Sequence, residues 1–265
     1  MTEDGRGEIY RDLHGGQLVQ QEAKNKNSAV RILGTLFEYV QPGATLDVGC
    51  GLGTWLRAAT ELGASEIQGL EGEWLDTRLL QIDPSRVRIL DLEQGFDLGR
   101  RFDLVICLEV AEHLSPQSAD TFVAALTSHA DVVLFSAAIP FQGGHHHVNE
   151  QYPDYWSERF ARHGFRVIDC LRPRIWANDE VLWWFRQNIL LFVHDRAIEA
   201  NERLRREYEA SRKLCVVHPH LYNVRMQLAN NLAADYQRMM TTLGGGGVFQ
   251  VTRRIDGTFT FSRLK

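Results

Sequence analysis

Two stretches of this 265-residue chain carry residues whose types and spacing suit chemistry. The first is Leu46-Asp47-Val48-Gly49-Cys50-Gly51-Leu52-Gly53-Thr54, three glycines at alternate positions behind an acid. Glycines there let a backbone approach a ligand closely and aim its N–H groups at it from a helix N-terminus. A second acid, Glu71, follows Gly53 by 18 residues. An acid at the end of the next strand can accept hydrogen bonds from both hydroxyls of a ribose. The second stretch, 136–156, places His145, His146, His147, Asn149, Glu150 and Tyr152 behind Gly143-Gly144. An imidazole with a pKa of ~6.5 is matched to general-base work near neutral pH. In an extended run, His145 and His147 face one side and His146 the other.

Each stretch has more than one reading. The glycine loop alone is either a tight turn or a cofactor cradle. Dinucleotide binders favour G-x-G-x-x-G, whose third glycine permits close helix packing. Here Thr54 follows Gly53 and that register is not met. S-adenosylmethionine has no pyrophosphate to cradle, but its ammonium needs an anion, which Asp47 offers inside the motif. The spacing favours S-adenosylmethionine over NAD(P). The histidine loop reads as a solvated connector, as a general base (His147 or His145, oriented by Glu150), or as a divalent-metal site. In the last case His145 and His147, with Glu150 or a distant carboxylate, hold an ion such as Mg2+ that acidifies a hydroxyl. His113, in Glu112-His113-Leu114, is another candidate base or a packing residue at a helix start. Glu109 suits the methionine end of the cofactor better than it suits chemistry.

The elements that must position these residues are legible as patterns. Apolar runs at 44–49, 66–71, 87–92, 102–110, 131–137, 165–171 and 188–194 read as strands buried on both faces of a largely parallel sheet. Helical spacing at 54–62, 115–129 and 154–163 joins them into repeated βα units. The connection 172–187 carries three tryptophans, Trp176, Trp183 and Trp184. It reads as lid core, or as a stacking surface for a ring substrate with Arg172 and Arg174 beside it. An amphipathic helix is expected at 27–39 and a charged one at 195–213. A further helix carries Leu221, Val224, Leu228, Leu232 and Tyr236 on one stripe. The glycine run 244–247 and a hairpin turned by Asp256-Gly257 follow. Three segments result: an N-terminal helical cap (1–40), a cofactor-binding domain (41–195), and a C-terminal helix with a hairpin (196–265) that caps substrate or joins a homodimer.

Composition narrows the setting. The net charge of −5 argues against a binder of nucleic-acid phosphates. No apolar run reaches the ~20 residues of a membrane span, and the first residues lack a signal-peptide core. Four dispersed cysteines form no CxxC pair, which fits packing thiols in a reducing cytoplasm better than disulfides or structural zinc.

Four motifs together resemble the class I S-adenosylmethionine-dependent methyltransferases. Residues 46–56 (LDVGCGLGTWL) are similar to that family's first motif, and 69–71 to its ribose-binding strand end. Asp91-Leu92 is similar to the pair facing the adenine amino group, and 107–114 (CLEVAEHL) to the stretch after strand four in its small-molecule branch. The resemblance covers about 40–195. It implies a Rossmann-like α/β fold with a seven-stranded mixed sheet in the order 3-2-1-4-5-7-6. It also implies cofactor contacts at Asp47, Gly49, Gly51, Gly53, Glu71, Asp91, Leu92 and Glu109. The Asn/Asp-Pro-Pro-aromatic tetrapeptide of nucleobase amino-methyltransferases is absent after strand four. The pattern in 136–156 resembles bacterial methyltransferases of glycan and glycoside tailoring, including those of methylmannose polysaccharide synthesis.

The expectation is therefore O-methylation of a small polar acceptor, a saccharide or oligosaccharide hydroxyl by preference. The site would use His147, His145, Glu150 and His113 for proton handling. Competing readings are N- or C-methylation of another metabolite, an NAD(P)-dependent oxidoreductase, and a cofactor-binding protein without catalysis.

Overall fold

The computed structural model describes residues 15–210, 214–243, 249–253 and 259–263. Seven strands, β1 (Ala44–Val48), β2 (Glu66–Glu71), β3 (Val87–Ile89), β4 (Leu104–Leu108), β5 (Val132–Ser136), β6 (Phe165–Ile168) and β7 (Leu190–His194), form one sheet. Its order is β3-β2-β1-β4-β5-β7-β6, as the resemblance implied. The first five strands run parallel, and β7 is antiparallel to both β5 and β6. Alternate residues feed two cores. Leu104 and Ile106 of β4 join one apolar cluster, and Val105 and Cys107 join the other. This is the period-2 geometry of a strand covered on both faces.

Helix α1 (Gly15–Leu36) packs with α2 (Thr54–Glu61) on one face, through Ile32, Leu33, Leu36, Trp55 and Ala58. Helices α3 (Ala119–His129) and α4 (Pro153–Ala161) cover the other through Phe122, Leu126, Trp156 and Phe160. Between β6 and β7 run two short helices, α5 (Arg172–Ile175) and α6 (Trp183–Asn188). Helix α1 begins earlier and ends sooner than the 27–39 expected, and β3 stops at Ile89, before Asp91. The charged stretch 195–213 is two helices, α7 (Asp195–Ala200) and α8 (Glu202–Glu209). Asn201 breaks it by leaving helical dihedrals and accepting the N–H groups of Arg203 and Leu204 as an N-cap.

The chain divides into two compact units, Met1–Val216 and Val217–Lys265. The second contains α9 (Pro219–Leu243) and an antiparallel pair, β8 (Phe249–Arg253) and β9 (Phe259–Arg263). Along α9, Leu221 is buried while Val224, Leu228, Leu232 and Tyr236 are exposed. The first cap residues (1–14), the glycine run 244–247 and the turn residues Asp256-Gly257 lie outside the described residues. All four cysteines are free thiols. No helix among the described residues is long and apolar enough to cross a membrane.

Candidate active site

The glycine loop lies at the C-terminal edge of the sheet, where open α/β folds bind ligands. Gly49, Gly51 and Gly53 all have positive φ (78°, 54° and 79°), a backbone open to glycine at little cost. Two glycines also answer to space. A Cβ on Gly49 would lie 2.3 Å from Val110 Cγ2, and one on Gly53 would lie 2.7 Å from Ile82 Cγ1. Gly51 N–H donates to Glu71 Oε2 (2.7 Å), and Gly72 N–H donates to Oε1 (2.8 Å). Glu71 thus ties the loop to the end of β2 while its remaining lone pairs stay available to a ribose. Burial raises its pKa, against the pull of those two backbone donors and the Trp74 side chain.

Asp47 is 2% exposed, and its Oδ2 has no hydrogen-bond partner. Burial first, then the charge of Glu71, pushes its carboxyl well above the ordinary range. An ammonium group would supply the missing partner and counter-charge. The residues therefore fit S-adenosylmethionine: an anion for its amino group, a ribose acid, and a loop with no Cβ in the way. Beyond β3, exposed Asp91 caps a turn by accepting from Glu93 N–H (3.0 Å), and Leu92 is buried. Leu90 N–H donates to the Glu71 carbonyl (2.9 Å), which sets the residue before this pair beside Glu71.

After β4 the chain turns sharply. Glu109 has φ 55°, costly for a residue with a side chain, and its N–H donates to both Ser136 O (3.0 Å) and Ser136 Oγ (3.1 Å). Its carboxylate accepts from Gln142 Nε2 (3.2 Å) and from Asn188 Nδ2 (3.1 Å to Oε1), so three segments hold it. Burial raises its pKa while Ser136, Asn188, the nearby His147 and Gln142 lower it. Val110, the next residue, is the one that abuts Gly49. Ala111–His113 then form a short helical turn, and Val148 and Asn149 donate their N–H groups to the Glu112 carbonyl (2.9 and 3.0 Å).

This clamp brings the histidine loop to the turn. His147 Nδ1 pairs with Glu150 Oε1 (2.9 Å), and the His113 and His147 ring centroids are 4.9 Å apart, edge to face. Glu150 is itself fixed, accepting from Phe141 N–H (2.8 Å) and Gly143 N–H (2.6 Å). The loop is not extended. His146 has φ 53°, so His145 and His147 do not share a side; His145 and His146 are exposed and contact each other. Of the expected residues, the fold converges His147, Glu150, His113 and Glu109, and leaves His145 outside.

Residues 22–170, more than half of the chain, match the family profile of the methyltransferase domain. This chain belongs to the methyltransferase-domain family. Its fold is that of the class I methyltransferases. Streptomyces venezuelae DesVI aligns at TM-score 0.52 with 16% identity, covering 70% of this methyltransferase and 98% of that chain. The sugar N-methyltransferase KedS8 from Streptoalloteichus sp. ATCC 53650 aligns at TM-score 0.52 with 17% identity, covering 73% and 96%. At these identities the likeness is one of fold. No curated protein matches the methyltransferase by sequence.

Several residues of the methyltransferase site were not singled out in its sequence. Glu22 of α1 reaches the helix start, where it contacts Thr54 Oγ1 and accepts from Gln81 Nε2 (2.9 Å). Trp74 lies over Gly72, where a Cβ would meet its ring at 2.1 Å. Gln142 and Asn188 carry no motif, and only the chain path brings them to Glu109. In the tryptophan segment, Trp176, Trp183 and Trp184 are all half-buried. Arg172 is buried and paired with Asp169 (2.8 Å), Arg174 pairs with Glu38 (2.7 Å), and Trp184 packs on the core.

Proposed function

We propose that this chain is an S-adenosylmethionine-dependent O-methyltransferase whose acceptor is a hydroxyl of a small polar molecule, a saccharide or glycoside by preference. One observation carries the reading. Val110, which abuts Gly49 of the glycine loop, leads directly into the turn carrying Glu112 and His113, and these meet His147 and its partner Glu150 in a cluster of two imidazoles and two glutamates. Bound S-adenosylmethionine supplies an electrophilic methyl group on a sulfonium. Asp47 and Glu71 hold its ends, and Glu109 sits beside the junction. A hydroxyl must lose its proton as it attacks, whereas a neutral amine need not do so beforehand. His147, oriented through Nδ1 by Glu150, handles that proton. In-line placement of acceptor and methyl group contributes up to ~7–11 kcal/mol in well-oriented systems. We assign acceptor choice to the N-terminal cap, and a homodimer contact to the exposed stripe of α9.

The test is radiolabelled methyl transfer from S-adenosylmethionine to matched saccharides, amino sugars and phenolics. Labelled ether products from saccharides are the expected result. Label recovered only on nitrogen or carbon sinks the O-transfer reading. Calorimetry showing NAD(P) binding and no S-adenosylhomocysteine binding sinks the methyl-transfer reading altogether.

A further inference from the structure

Glu112, His113 and His147 bring a carboxylate oxygen and two imidazole nitrogens within 4.8 Å of one another. Glu112 is fully buried against the Glu109 carboxyl, and neither of its own carboxylate oxygens makes a hydrogen bond of good geometry. A buried carboxylate without donors is costly as an anion unless a cation compensates it. His147 gives Nδ1 to Glu150, which leaves Nε2 to ligate. A carboxylate behind an imidazole is the arrangement that orients metal-bound histidines. Gly144 lies close against that edge of the ring, and a Cβ there would sit 2.1 Å from His147 Nε2, so any side chain at 144 would displace the imidazole. Two main-chain hydrogen bonds from Val148 and Asn149 to the Glu112 carbonyl join the segments that carry the three groups.

We propose that Glu112, His113 and His147 form a divalent-cation site at the acceptor end of the crevice. It rests on the methyl-transfer reading above and deepens one part of it: His147 acts on the acceptor's proton as a ligand of the cation that acidifies the hydroxyl, rather than by accepting that proton itself. Two imidazoles and one carboxylate suit a first-row ion of the Mn2+, Co2+ or Zn2+ kind. Mg2+ prefers oxygen ligands and retained waters. Tetrahedral donors at ~2.1 Å from an ion are ~3.4 Å apart, so ring rotation closes the set. Three protein ligands leave coordination positions open. Glu112 seals the inner end, while His113 and His147 are partly exposed. An acceptor hydroxyl in an open position loses its proton more readily, here to a solvent water. Its oxygen pair then forms the C–O bond as the C–S bond breaks, and the departing pair stays on sulfur, leaving a neutral thioether.

The experiment strips the full chain with a chelator and verifies metal removal by elemental analysis. Co2+ is then titrated as the probe, read by visible absorption, with Zn2+ and Mg2+ as competitors. One Co2+ per chain is expected, displaced by Zn2+ and not by equal Mg2+. Glu112→Gln and Gly144→Ala should each weaken Co2+ at least about tenfold, as should Glu150→Gln from outside the ligand set. S-adenosylhomocysteine affinity should stay within about twofold in all three, and His163→Ala should leave Co2+ binding and turnover unchanged. Two outcomes overturn the site: Co2+ binding that none of these variants weakens, or full turnover by verified metal-free protein. If S-adenosylhomocysteine still binds in either case, the methyl-transfer reading stands; if the unsubstituted chain does not bind it, that reading falls instead.

Discussion

The glycine loop and the histidine loop sit on the same edge of one sheet, yet they are built in different ways. The glycine loop is local. Its three positive-φ residues, its acid and its helix start lie between Asp47 and Thr54, and the distant Glu71 ties it to the next strand. The histidine cluster is assembled from the turn after β4, the loop after β5, and Asn188 before β7. A site held by backbone conformation tolerates change at its neighbours and little at its own residues. A site held by converging side chains depends on every segment that reaches it.

The largest expected effect breaks the histidine side alone. His147→Ala should lower kcat about 10²–10⁴-fold, the usual worth of a positioned proton-handling group. S-adenosylhomocysteine affinity by calorimetry should hardly move. His145→Ala, outside the cluster, should leave kcat near wild type; equal losses in both would mean that the loop acts as one polar patch.

Next comes the seam between the two regions. Gly49→Ala adds a Cβ against Val110 at a residue with φ 78°. Strain of about 1–3 kcal/mol at such a position, with the displaced Val110 added, should weaken S-adenosylhomocysteine by roughly 100-fold. Gly99→Ala is the matched comparison, because Gly99 has φ 66° but open space around it. If both variants bind alike, the contact with Val110 is not what joins the regions.

Asp47 sharpens the glycine side. Its folded pKa is raised, so its contribution to stability is present below the unfolded carboxyl pKa and lost as pH rises through the folded value. Asp47→Asn should therefore make the cofactor-free chain more stable at neutral pH, by about 1–3 kcal/mol, the scale of an unsatisfied buried polar group. The same change should weaken the cofactor, and wild-type affinity should fall as acid protonates Asp47 while the variant stays flat. Thermal melts and calorimetry at several pH values check both signs. A variant less stable and equally tight would remove Asp47 from the ammonium site.

The smallest effect is expected at Arg174→Ala, which removes an exposed ion pair with Glu38 worth about 0–1 kcal/mol. Turnover should be unchanged. A large loss there would restore the tryptophan segment as a substrate surface.

The strand runs, the glycine spacing and the Glu71 position are all legible in the sequence, because each is dictated within a few residues. Continuous apolar runs report two-sided burial, and alternate glycines report a backbone that side chains cannot follow. The histidine loop was readable as a composition and misread as a geometry. An extended run pairs His145 with His147, but His146 in a left-handed conformation breaks that alternation. Glu112 stood in plain view within a recognisable stretch, without a signal that it is buried against Glu109.

By itself, the sequence determined the sheet, its order through the motif resemblance, and a cradle for a ribose-bearing sulfonium. Those depend on local backbone preference and on which faces are apolar. Only the tertiary structure decided which histidine, which glutamate and which distant amides meet at Glu109. Side-chain convergence depends on strand order, on the path of two loops, and on hydrogen bonds between residues more than 30 positions apart. No local pattern encodes these.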